Sequence, residues 1–191
     1  MSYVGLLFIF LFTQNVLLYY FLGIDSVEEI QDRRASLLIQ EGLVLTGVCS
    51  VSATIIRTVY LGVLLPLGVP YLNTLIAVLI ILSLVKATCM VLDGFGISLT
   101  EWRILVNSLV FGVSLLSIYG KYTLLESFIA GLAAGMGYLL AVYLLEVLLE
   151  QFKREWIPRA LQGVPILMIS AGLMAMAFFA IDVSLLRRIF G

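Results

Sequence analysis

The sequence has no histidine, two cysteines, four prolines and only 12% charged residues in a chain of 191. Each shortage closes off a class of function. Without histidine, the commonest metal ligand and general base is missing at once. Cys49 and Cys89 stand far apart inside apolar runs and form no C-x-x-C pair. They read as small buried apolar residues, with a disulfide or a metal site as the alternative. The formal net charge is −1 with no basic run, which excludes nucleic acid as a partner. Glycines and prolines are scattered without a low-complexity tract. Met1-Ser2-Tyr3 has neither a basic lead nor a small-residue cleavage pattern, so the first apolar run is expected to remain as a membrane helix.

What is abundant is apolar surface: 62% of the side chains, with a mean hydropathy of +1.15. A soluble domain carries about a quarter charged residues. Half that charge cannot cover a globular surface in water, so lipid surrounds most of this chain. The expected fold is an all-α integral membrane protein.

A helix needs about 20 apolar residues to cross a bilayer. Six stretches qualify, at 3–24, 37–65, 71–92, 103–119, 124–149 and 164–186. Pro66, Gly68 and Pro70 make the turn between the second and third, because proline stops a helix and glycine accepts turn geometry. Gly120-Lys121 closes the fourth. Residues 1–191 therefore read as a single membrane domain with no room for another. Seven basic residues (Arg33, Arg34, Lys86, Arg103, Lys153, Arg154, Arg159) fall on one side and three (Lys121, Arg187, Arg188) on the other. That bias places both termini outside.

The halves 3–92 and 103–188 resemble each other. VPYLNTLIAVLIILSLV from residue 69 reads against VPILMISAGLMAMAFFA from residue 164, three spans later. An odd number of spans inserts the second copy upside down, which is the inverted 3+3 repeat of many transporters, with sites at broken helices near the midplane. Asn15 and Asn107 fall at corresponding places, with Gly23 and Gly112 downstream. In lipid a freed backbone group costs several kcal/mol unless something pairs with it. An asparagine can supply that pairing, so the first and fourth helices are expected to be interrupted near Gly23 and Asn107. The alternative is an asparagine that merely bonds to a neighbouring helix. Gly131 and Gly135 form a G-x-x-x-G, whose face is expected to pack closely on another helix. Arg57 and Glu146 are the ionisable residues deepest in spans and are functional candidates, although Arg57 can also snorkel to the interface.

FLG at 21–23, VNSLVFGVSLL at 106–116 and IPRALQGVPILMISAGLMAMAFFA at 157–180 resemble the Rnf–Nqr family of membrane subunits, which includes RnfA, NqrD and NqrE. The resemblance implies a six-helix inverted repeat in a bacterial or archaeal cytoplasmic (inner) membrane. It implies membership of a complex that couples electron transfer to Na⁺ or H⁺ transport, in which the partner is a paralogous six-helix subunit. In that family two such subunits share one [2Fe–2S] cluster, each giving a cysteine after the Leu-Gly of its first helix and another after the asparagine of its fourth. Here those positions hold Asp25 and Ser108. Clusters are held by thiolates, so no cofactor is expected on this chain, and a scaffold or ion-path role remains. A cluster rebuilt from a partner's cysteines is one alternative. A non-redox secondary transporter or permease component on the same fold is the other.

Overall fold

The computed structural model describes residues 3–23, 35–94, 107–152 and 158–190, and all regular structure among them is helical. The chain opens with α1 (Tyr3–Phe8), which widens into a π-helical turn over Ile9–Thr13. A break at Gln14 and Asn15 separates it from α2 (Val16–Tyr20). Next come α3 (Ala35–Val59), continued as a π turn over Tyr60–Leu64, and α4 (Asn73–Gly94) behind a 3-10 turn at Pro70–Leu72. The second half holds α5 (Ser108–Tyr119), α6 (Leu124–Phe152) and α7 (Val164–Phe190).

Three of these are long and apolar enough to cross a membrane: Ile39–Leu64, Pro70–Gly94 and Leu124–Phe152. Their outer surfaces are apolar as well. Leu75, Leu79, Met90 and Val91 on α4 and Leu173 and Met176 on α7 are exposed. A soluble monomer does not carry apolar surface on this scale. The protein is a membrane protein whose outward face is made for lipid or for other subunits.

Local chemistry explains the ends. Pro70 starts the 3-10 turn, where its missing N–H costs nothing. Gly68, at φ +71, takes the left-handed conformation that the 66–70 turn requires. Thr123 and Glu126 form a capping box at the head of α6, each backbone N–H donating to the other's side chain (2.8 and 3.3 Å).

The centre of the fold is the contact between α3 and α6, the most extensive in the molecule. A side chain at Gly131 would strike the Ser50 Cα, and one at Gly135 would come within 2.6 Å of the Thr46 Cα. The two backbones therefore run nearly in contact, as the G-x-x-x-G pattern leads one to expect. Thr46 donates its hydroxyl to Gly42 O and Ser50 to Gly47 O, so the facing polar groups are satisfied inside α3. On the same face Leu139 of α6 covers Gly42. Small residues such as Ala53, Ala130, Ala133 and Ala134 fill the rest of this seam.

Candidate functional site

The two asparagines sit at the heads of α2 and α5. Asn15 is 1% exposed and caps α2, its Oδ1 accepting from Leu17 N–H at 3.1 Å. Its Nδ2 donates to Leu11 O, on the other side of the break, and to Gly137 O of α6 at 2.7 Å. One side chain thus ties together both halves of the broken helix and the central helix. Asn107, also buried, caps α5 with Oδ1 accepting from Leu109 N–H at 3.0 Å. Its Nδ2 donates to the Tyr138 hydroxyl at 3.4 Å. Both arrangements satisfy helix-terminal N–H groups that water cannot reach.

The first helix is interrupted at Gln14–Asn15, and it leaves helical geometry a second time at residues 21–23. Phe21 adopts a left-handed conformation at φ 56, and Gly23 follows at φ +87. The Gly23 N–H donates to Ser108 Oγ at 2.8 Å. A Cβ on Gly23 would lie 2.7 Å from the Tyr138 ring and 3.1 Å from Asn107 Oδ1. Leu22 lies against Gly112 on α5. Gly23, Asn107, Ser108 and Gly112 are therefore one site, where the end of the first helical segment meets the head of the fourth. Asn15 lies at the other end of α2, held to α6 at the residue preceding Tyr138. Asp25 falls outside the described residues.

Gly23→Ala is expected to destabilise the chain by about 1–2 kcal/mol through the left-handed backbone alone, and by more through the collision with Tyr138. Thermal unfolding in detergent reads the loss. A variant as stable as wild type would mean that residues 21–23 can rebuild their path.

Ser108 is the described position at which a cluster ligand is implied by the family resemblance. Its hydroxyl already accepts the Gly23 N–H. An alcohol is a hard donor that stays protonated, whereas a [2Fe–2S] centre takes soft thiolates. Cys49 and Cys89 are buried on α3 and α4. Among the described residues no three His, Cys, Asp or Glu side chains converge. The described donor set does not suit the cluster.

Two further polar groups line the inner face of α5. Ser52 of α3 and Ser114 are fully buried, with hydroxyls 3.2 Å apart, each within hydrogen-bond distance of a carbonyl of its own helix, so that their two protons are shared among three contacts. Arg57, 7% exposed, reaches the far end of α5. Its Nε–H donates to Tyr122 O at 2.6 Å and its Nη1 to Ile118 O at 3.4 Å, beside the Tyr60 ring. A cation at helix-terminal carbonyls is favourable. Burial, with smaller effects from Tyr20 and Glu126, raises the Tyr122 phenol above its usual range and keeps it neutral. Glu146 is half-buried on α6.

Sequence reading missed Tyr138, Ser52 and Ser114. Tyr138 had a signal, a hydroxyl-bearing ring directly after Gly135 and Gly137. The serines had none, since a serine can bond to its own helix anywhere in a span.

Comparison with known proteins places this architecture. The family model described as "Rnf-Nqr subunit, membrane protein" matches residues 3–185. One subunit of the Na⁺-translocating ferredoxin:NAD⁺ oxidoreductase complex of Acetobacterium woodii is 32% identical, over 88% of this chain and 90% of its own length. One subunit of the Na⁺-translocating NADH-quinone reductase of Shewanella denitrificans is 30% identical, over 93% and 96%. A third relative, from the ion-translocating oxidoreductase complex of Vibrio parahaemolyticus, is 32% identical, over 93% and 95%. With a family match along nearly its whole length and relatives this similar, the chain belongs to the Rnf-Nqr family of membrane subunits.

Proposed function

We propose that this chain is a membrane subunit of an ion-translocating oxidoreductase complex that couples electron transfer to Na⁺ or H⁺ movement, and that it serves there in a scaffold or ion-path role. The observation that carries the reading is the family match over residues 3–185, with relatives whose names state membership of such complexes. A non-redox permease is not favoured, because the relatives are named as oxidoreductase subunits.

The finer reading is six spans in two inverted halves, in the inner membrane of a bacterium or archaeon, with both termini outside. It is supported by the close packing of α3 on α6, the second long helix of each half, and by an asparagine cap in the first helical segment of each. A paralogous six-helix subunit is the expected neighbour, against the exposed apolar faces of α4 or α7. An ion path has its polar groups in the Ser52–Ser114 pair and in the Asn107 carboxamide and Ser108 hydroxyl beside Gly23. The chain ligates no [2Fe–2S] cluster through Ser108 or Asp25.

A tag on this chain, used to purify the assembly from its native membrane, is expected to bring down flavin- and iron–sulfur-carrying subunits. The tagged chain recovered alone in mild detergent would sink the subunit reading. The reduced assembly, examined by electron paramagnetic resonance, is expected to give the same iron–sulfur signals in wild type, Ser108→Ala and Asp25→Ala. A [2Fe–2S] signal that either substitution alters would return this chain to the electron path.

A further inference from the structure

At the end of the molecule away from the Gly23 site, the 66–70 turn and the 120–123 turn flank an open cavity of about 620 Å³. We propose that it binds a phosphate-bearing anion, and that an anionic phospholipid headgroup is its source. Its polar lining is Arg57, Tyr60, Tyr71, Asn73, Thr74, Tyr119 and Lys121, with no aspartate or glutamate among the described residues. The cavity thus carries two cations and no fixed anion.

Arg57 is the group that asks for a ligand. It is more than nine-tenths buried, yet its partners among the described residues are two backbone carbonyls and a tyrosine ring, with no carboxylate. Carbonyl dipoles orient a guanidinium without cancelling its charge. A buried charge left without a counter-charge is costly. The guanidinium has five N–H donors, and the two carbonyls engage only Nε and Nη1. The remaining donors lie where Arg57 borders the cavity. Asn73 adds to them: its Oδ1 accepts the Thr74 hydroxyl at 2.8 Å, leaving its Nδ2–H groups for the cavity it lines. The nearest acid in sequence, Glu126, is held in the capping box of α6 and does not line the site. A forked cation, a flexible second cation and amide donors are the set that recognises phosphate oxygens.

The position favours a lipid over a free anion. Tyr60, Tyr71 and Tyr119 ring the cavity at the ends of spans, as aromatic side chains do at headgroup level. Leu61 and Leu65, both exposed, continue its wall along the helix flank, where an acyl chain lies.

The test uses the native assembly, delipidated in a maltoside detergent. Equilibrium binding is measured for radiolabelled dioctanoyl phosphatidylglycerol, dioctanoyl phosphatidylcholine and inorganic phosphate, on wild type and on Lys121→Asn. Lys121 is exposed with φ 53, a conformation asparagine tolerates, so the variant folds while losing one charge. Phosphatidylglycerol is expected to bind roughly tenfold more weakly to the variant, the loss of one charge-assisted contact, and Lys121→Arg to restore it. Phosphatidylcholine should show no such component. Inorganic phosphate binding as tightly as phosphatidylglycerol, with the same dependence on Lys121, would keep the anion site and name a free phosphate as its occupant. If neither anion depends on Lys121, for instance because a carboxylate from a neighbouring protein fills the cavity, the proposal is overturned.

Discussion

Asn15→Leu is expected to destabilise the folded chain by about 3 kcal/mol or more and to leave little monodisperse protein in detergent. The estimate is built from the bonds lost. Removing a helix cap costs about 1 kcal/mol, here the Oδ1 contact to Leu17 N–H. Leu11 O loses its side-chain donor as well, while Gly137 O, inside α6, keeps the N–H of its own helix; a buried group left unpaired costs about 1–3 kcal/mol. A simple interhelical hydrogen bond in a membrane is worth only about 0.6 kcal/mol, so the two accounts of this residue differ severalfold in what is measured. Asn15→Ser should fall between wild type and leucine, because a serine oxygen can still cap α2 but cannot reach Gly137. Asn15→Asp is the sharper control. It keeps the acceptor for Leu17 and loses both donors, setting a carboxyl oxygen against the Gly137 carbonyl. The same order, leucine worse than serine, is expected at Asn107. Equal unfolding temperatures for leucine and serine at either position would reduce that asparagine to an ordinary contact.

These caps show what could be read from the sequence and what could not. A polar amide inside an apolar span has few satisfactory environments, so Asn15 and Asn107 marked themselves, and the proline and glycine positions marked the turns. The reach of Asn15 to Gly137, 122 residues away, left no local trace. Neither did the π turns at Ile9–Thr13 and Tyr60–Leu64, since their sequences are ordinary apolar helix. The destination of Arg57 was hidden for another reason. Its distance from a span end allowed snorkelling, and only the fold shows the carbonyls of Ile118 and Tyr122 waiting there. In water, an apolar stripe reveals which face of a helix is buried. In lipid, helices such as α4 and α6 are apolar all round, so the sequence predicts spans without showing that α6 is central and α4 peripheral. The small residues of α6 are the exception.

That exception carries the second large effect. Gly131→Leu is expected to prevent α3 and α6 from docking, with a loss of about 3 kcal/mol or more. Forcing extra atoms into a packed core costs about 1–3 kcal/mol when side chains can shift aside. Here the obstacle is backbone: a Cβ at Gly131 would meet the Ser50 Cα and lie 2.8 Å from Cys49 O. Neither can turn away, so relief requires the two helices to separate along their seam. Separation would also draw Gly135 from Thr46, which faces it across the seam. Gly131→Ala should be milder and still clearly destabilising. Gly47→Ala, on the outer side of α3 with no atom within 4 Å of its added methyl, is expected to be neutral or slightly stabilising. Unfolding temperatures of the three variants, compared in one detergent, check the ordering. If Gly131→Leu unfolds with Gly47→Ala, the close approach of α3 and α6 does not hold the molecule together.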